Sequence, residues 1–205
     1  MWDIFSYAIV TATAYLLGSF PTGYLIVRLL KGVDVRQCAS GRIGGTNVYR
    51  VAGWRAAALT VLGDALKGGV AILLARTLVG THLALVLAGV AAVWGHNHSV
   101  FLSLKGGAGT VTNIGVLAVI FPEIAVILVL LALVTALLTH YASVASLTAA
   151  VATPIALLIA FWAIHSPGEY VLYGLLAALI IIWALRPNVV RLLRGTERRV
   201  EFGPY

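Results

Sequence analysis

The chain has 205 residues, of which 61% are hydrophobic and only 10% charged, with a formal net charge of +7. A soluble domain is usually about 45–50% apolar and about 25% charged, so there is too little polar surface here to coat a globule. A soluble enzyme, a disordered chain and a nucleic-acid-binding domain are excluded, and a polytopic membrane protein is the reading left. The basic residues do not point to nucleic acid, because they sit in short loops between apolar runs. The single cysteine, Cys38, cannot form an internal disulfide.

The chain starts Met1-Trp2-Asp3, acidic rather than basic, and no small-residue cleavage site follows. The first apolar run, 4–27, is therefore expected to be a spanning helix rather than a signal peptide. A crossing takes about 20 mostly apolar residues. Six further segments are expected at 53–76, 82–98, 108–121, 124–140, 146–164 and 169–186. Phe121-Pro122-Glu123 divides what would otherwise be one overlong run at 108–140. His165-Ser166-Pro167-Gly168 reads as a turn. The expected fold is all-α: one integral membrane domain over 1–205, with seven transmembrane helices and a basic tail at 187–205.

Positive charge sets orientation. Arg28, Lys31, Arg36, Arg42, Arg50, Arg55, Lys105, Arg186, Arg191, Arg194, Arg198 and Arg199 fall on one side. Arg76, Asp3, Glu123 and Glu169 fall on the other. An odd helix count then puts the N-terminus outside and the C-terminus in the cytoplasm. The polar loops gather on the cytoplasmic face, which suits an enzyme working at the inner interface. A transporter or a non-catalytic anion-binding membrane protein is the alternative. It would show polar features through mid-membrane or on both faces.

The first cytoplasmic loop reads Ser40-Gly41-Arg42-Ile43-Gly44-Gly45-Thr46-Asn47-Val48-Tyr49-Arg50. Glycines let backbone amides converge on an anion, and a helix start adds partial positive charge. Thr46 and Asn47 offer side-chain hydrogen bonds. Arg42 and Arg50 offer planar, bidentate cations suited to phosphate. Further on, Lys105-Gly106-Gly107 leads into a helix and reads as a second anion cradle. It lacks the ending of a Walker A loop, so no nucleotide site is expected.

His96 is a candidate general base or hydrogen-bond donor. With His98 it is two residues away on a different helix face, and no Cys or carboxylate lies beside them, so no metal is expected. Ser19 sits beside Pro21, where a helix break frees backbone groups. Ser143 offers a hydroxyl at a cytoplasmic helix end. Asp64 and Lys67, three residues apart inside a span, read as an ion pair. The tail 186–197 reads as an amphipathic basic segment suited to anionic lipid.

Taken in order, these segments resemble the bacterial membrane acyl-phosphate-dependent glycerol-3-phosphate acyltransferases. The resemblance rests on Gly18-Ser19-x-Pro21-x-Gly23-Tyr24, Asp34-Val35-Arg36, Ser40-Gly41 and Gly44-x-Thr46-Asn47-x-x-Arg50. It continues through Asp64-x-x-Lys67-Gly68, Gly95-His96, Lys105-Gly106-Gly107-x-Gly109, Asn188-x-x-Arg191-Leu192 and Gly195-Thr196-Glu197. It implies transfer of an acyl group from acyl phosphate to the 1-hydroxyl of glycerol 3-phosphate, at the bacterial inner membrane. No cofactor and no obligate protein partner are implied; the partners are the two substrates and membrane lipid.

By motif position, Ser19, Thr46, Asn47, Arg50, Lys105, Ser143 and Asn188 would surround the two phosphates, with His96 and Glu197 close by. His96 and Ser143 are the candidate catalytic side chains. Arg42, Gly106, Gly107 and Glu197 join the candidate phosphate-binding set. The chain departs from the family at Arg42, where Asn is usual, and at Gly45, where Ala is usual. It also departs at Ser99 (usually Pro), Ala108 (usually Lys) and Leu185 (commonly His). Arg42 stands as a candidate replacement for the missing cations. The departures leave open a relative that acylates another phosphorylated alcohol.

Overall fold

A computed structural model of the chain describes residues 4–200. The acidic start, Met1-Trp2-Asp3, and the end of the tail, 201–205, lie outside the described residues. Every long regular element among the described residues is helical: α1 (Ile4–Ser19), α2 (Thr22–Lys31), α3 (Gly45–Leu78), α4 (His82–Asn97), α5 (Thr110–Ile120), α6 (Pro122–Thr139), α7 (Ala142–Ile164) and α8 (Glu169–Leu193). Six stretches are long and apolar enough to cross a membrane, with α1 and α2 taken together as one of them. The expected seventh, 108–121, is α5, with 11 residues. At 1.5 Å per residue it is about 16 Å long, roughly half the hydrocarbon core.

The expected 4–27 helix breaks at Phe20-Pro21. Proline brings no backbone donor, so carbonyls of the preceding turn are left open. Phe20 N turns back to Leu17 O at 3.1 Å, Ser99 Oγ donates to Ser19 O, and Lys67 Nζ donates to Phe20 O at 3.0 Å, so carbonyls at the break find donors. The expected 53–76 helix starts earlier, at Gly45. Gly53 lies within it at φ +82°, ψ −179°, a geometry that glycine adopts without a Cβ penalty. That break sets the first turns of α3 off from the membrane-length part. At the other end of the chain, α8 runs through Pro187 to Leu193. The expected tail at 187–205 therefore starts only at Arg194, and Asn188 is a helical residue. Membrane helices tolerate proline where neighbours satisfy the freed backbone.

Helices pack here without a hydrophobic driving force, since lipid is as apolar as leucine, so small residues let backbones approach. Helix α1 lies along α4. A Cβ on Gly18 would collide with the Ala92 backbone, and one on Gly95 with Tyr15 O. Helix α3 lies along α5 in the same manner. Gly68 faces Thr112 O, and Gly115 faces Ala65 O. Helix α8 packs on α7 and α4, and α6 covers α7.

One polar network crosses this interior. Tyr173 OH donates to Asn113 Oδ1 at 2.6 Å, and Asn113 Nδ2 donates to Thr153 Oγ1 at 3.0 Å. All three residues are fully buried. Tyr173→Phe would leave the Asn113 oxygen without a donor, at a cost of about 1–2 kcal/mol. For a chain this long the midpoint of thermal unfolding in detergent should fall by roughly 3–6 °C. An unchanged midpoint would show that the network does not stabilise the bundle.

Candidate active site

The loop before α3 is wound around one side chain. Asn47 Nδ2 lies within 3.1 Å of Val35 O and Cys38 O and 2.8 Å of Arg42 O, while Asn47 Oδ1 accepts from Ser40 N at 3.0 Å. Asp34 braces the same loop by accepting from Arg36 N and from the Arg36 guanidinium, at 2.7 Å in its shortest bond. That hydrogen-bonded guanidinium holds the Asp34 carboxyl below the usual carboxylate range. Asn47 was expected to bond a phosphate; its amide is instead engaged with the loop that shapes the site.

This loop brings the start of α3 to a cavity of about 120 Å³. Gly44, Gly45 and Thr46 line it from the start of α3, Gly109, Thr110 and Val111 from the start of α5, and Ala142 and Ser143 from the start of α7. The first amides of an α-helix have no partner inside the helix. None of these three helices has a side-chain cap at its N-terminus. Three uncapped N-termini, each the positive end of a helix dipole, thus converge on one cavity. Gly109 makes the second approach possible. It sits at φ +87°, and a Cβ would press on Asn97 Oδ1.

Arg42, Arg50 and Arg198 add fixed charge to the lining. Arg42 donates to Ala184 O of α8, while its other terminal nitrogen is buried without a hydrogen-bond partner. Burial holds the guanidinium below its ordinary pKa, Arg191 adds to this, and Glu197 opposes it. Arg50 reaches the Arg199 carbonyl at 3.2 Å. Glu197 ties the opposite wall together. It accepts from Ser143 Oγ at 3.1 Å and Asn188 Nδ2 at 2.7 Å, and pairs with Arg191 at 2.7 Å. Val200 N then donates to His140 O at 2.7 Å, so residues 194–200 form a strap across the ends of α7 and α8.

His96 and Asp64 also line the cavity. The ion pair expected between Asp64 and Lys67 is present, with 2.8 Å between Nζ and Oδ1. His98 stacks on Trp94 instead, with ring centroids 4.1 Å apart. Among the described residues no group of three or more His, Cys, Asp or Glu is arranged to hold a metal ion.

Of the expected site residues, Arg42, Thr46, Asn47, Arg50, His96, Ser143, Asn188 and Glu197 share this cavity. Ser19, Lys105, Gly106 and Gly107 are not in its lining. Ser19 is buried near Gly95, and Lys105 is exposed in the turn before α5. Gly106 and Gly107 pack beneath His96: Gly107 N donates to His96 O at 3.0 Å, and a Cβ on Gly107 would strike His96 Nε2. Ser40, Thr110, Ser146 and Arg198 were not anticipated. Thr110 had a legible signal, as the first side chain after the glycine run that opens a helix.

A family model described as glycerol-3-phosphate acyltransferase matches residues 8–195. A glycerol-3-phosphate acyltransferase of Rubrobacter xylanophilus is 43% identical over 185 residues, 90% of each chain. One from Thermus thermophilus is 42% identical over 187 residues, covering 91% of this chain and 92% of its own length. The crystal structure of PlsY, described as an integral membrane glycerol 3-phosphate acyltransferase in its glycerol 3-phosphate form, superposes with a TM-score of 0.88 at 36% identity. That match covers 97% of this chain and 96% of the other.

Proposed function

Since the chain belongs to the glycerol-3-phosphate acyltransferase family, we propose that its cavity moves an acyl group from acyl phosphate to the 1-hydroxyl of glycerol 3-phosphate. The protein is an acyltransferase of phospholipid synthesis. The reading of the donor and of individual roles rests on one observation above all: three uncapped helix N-termini share a cavity with three arginines.

Such a cavity suits two phosphorylated substrates held together. Acyl phosphate is a mixed anhydride with a good leaving group, so no enzyme nucleophile is required. Alignment of hydroxyl and carbonyl supplies much of the rate. Donors aimed at the oxyanion and at the departing phosphate supply the rest. In this reading Arg42, Arg50, Arg198, Thr46 and the first amides of α3, α5 and α7 bind the phosphates. Ser143 and Asn188, braced by Glu197, orient them, and the hydroxyl proton passes to a substrate phosphate or to His96. Apolar lining at Ala108, Val111 and Leu185 offers the acyl chain a way out toward lipid.

The same reading makes the chain a single membrane domain of seven crossings, α5 being the short one. Its N-terminus is outside, its C-terminus and cavity are cytoplasmic, and its home is the bacterial inner membrane. The charge distribution supports this orientation. The test is direct: purified protein in detergent receives acyl phosphate and labelled glycerol 3-phosphate. Lysophosphatidic acid and inorganic phosphate are expected in equal amounts. Product formation from another acyl donor alone would overturn the donor assignment. Acylation of a different phosphorylated alcohol in preference would overturn the acceptor.

A further inference from the structure

Each of the three helix starts at the cavity brings a hydroxyl side chain: Thr46 on α3, Thr110 on α5 and Ser143 on α7. Ser143 Oγ is committed to Glu197 at 3.1 Å. Thr110 differs. It is 8% exposed, and its Oγ1 is buried with no protein partner. A buried hydroxyl is normally hydrogen-bonded, because taking it out of water unpaired is unfavourable. Valine has the same outline and would fill the position without that penalty.

The local backbone holds this side chain in place. Gly109 turns the chain into α5 at φ +87°, and Thr110 is the first residue of that 11-residue helix. Behind the turn stands Asn97 of α4, whose Nδ2 reaches Ile180 O of α8 at 3.4 Å. Asn113 N closes the first turn on Gly109 O at 2.9 Å, so the amides of Thr110, Val111 and Thr112 have no partner inside α5. Threonine is β-branched and has few rotamers to lose. A hydroxyl donor thus stands among free amides at the positive end of a helix dipole.

The rest of the lining says what such a donor meets. One terminal nitrogen of Arg42 is likewise buried without a partner. The two carboxylates of the lining, Asp64 and Glu197, are each paired with a cation, Lys67 at 2.8 Å and Arg191 at 2.7 Å. Donors in surplus and acceptors already engaged describe a site for an anion with several oxygens.

We propose that Thr110 is a binding residue whose hydroxyl donates to a phosphate oxygen of substrate held at the start of α5. This rests on the reading of the cavity as a site for two phosphorylated substrates. Both carry the same group, and kinetics tell which of them Thr110 holds.

The experiment compares Thr110→Val, which deletes the hydroxyl and keeps the shape, with Thr110→Ser, which keeps the hydroxyl. Thr110→Val should raise KM for one substrate about ten- to a hundredfold, the scale of a hydrogen bond to a charged group. The other KM should stay within about threefold, and Thr110→Ser should stay within about fivefold of wild type on both. A rise for acyl phosphate, with weaker competitive inhibition by inorganic phosphate, assigns Thr110 to the donor. A rise for glycerol 3-phosphate, with that inhibition unchanged, assigns it to the acceptor; either supports the proposal. Unchanged KM for both substrates in Thr110→Val overturns it. So does a Thr110→Ser variant as impaired as Thr110→Val, because shape and not hydrogen bonding would then be at stake.

Binding is also read without turnover. Inorganic phosphate and glycerol 3-phosphate, titrated singly, should each raise the unfolding midpoint of the wild-type protein in detergent. In Thr110→Val at least one titration should move to about tenfold higher concentration, and Thr110→Ser should bring it back. If the titrations behave so while the wild type makes no lysophosphatidic acid, the acyl-transfer reading fails and the phosphate site stands. If the wild type turns over and both titrations ignore Thr110→Val, the site alone fails.

Discussion

Arg42→Ala should lower kcat/KM for glycerol 3-phosphate about a thousandfold, the scale of losing a preorganised donor to developing charge. The guanidinium spans two tasks. One terminal nitrogen donates to Ala184 O, and the other is buried with no protein partner in a cavity bordered by the apolar Ala108 and Leu185. A buried cationic donor with no acceptor is costly to the free protein and pays only when an anion arrives. Arg42→Lys should recover little of the loss, because an ammonium cannot bond α8 and a phosphate in the same fork. Steady-state kinetics with both substrates, beside thermal unfolding in detergent, separates the tasks. A rate loss with a small midpoint shift marks the phosphate role. Unchanged kinetics would remove Arg42 from the site, and a large midpoint shift with intact kinetics would make it a brace for α8.

The second large effect is expected far from the chemistry. Gly115→Val should destabilise the bundle by about 3 kcal/mol or more, at the upper end of overpacking costs. The obstruction is the Ala65 backbone carbonyl, which cannot swing aside like a side chain. On the other face of the same contact, Gly68 meets Thr112 O. Helices α3 and α5 would have to separate, and the start of α5 would leave the cavity. Folded yield and unfolding midpoint in detergent are the readouts, with Leu130→Ala, on the half-exposed face of α6, as the tolerated control. An unchanged midpoint for Gly115→Val would show that the helix pair has slack that its geometry denies.

Much of the fold was legible as runs of apolar residues between punctuation. The expected 82–98 is His82–Asn97, and Pro122 opens α6 as its place at a helix start suggests. The misses share a cause: hydropathy counts side chains, whereas helix ends depend on backbone donors. Pro21 breaks a run whose apolar character never lapses. Pro187 fails to break one, and beside it Arg42 of the first loop donates to the Ala184 carbonyl. The start of α3 at Gly45 lies among polar residues that hydropathy assigns to a loop.

The site divides in the same way. Arg50, His96, Ser143, Asn188 and Glu197 were legible as motif residues, and they do come together. Residue type alone does not say which way an amide points, so Asn47 read as a ligand although it holds its own loop. Nor does it show that Lys105 stands exposed while the glycines after it pack under His96. The meeting of three helix N-termini is a property of packing. No single stretch of sequence carries it.

Helix α5 is half as long as a crossing requires, and its blunt start opens into the cavity. In the proposed reaction this shortness settles a problem of phase. One reactant arrives dissolved in water and the other dissolved in fat, and neither can follow the other home. The space above a short helix gives the glycerol phosphate room beside the fatty carbonyl, so in that reading the tail of the donor need never leave the oil to be handed over.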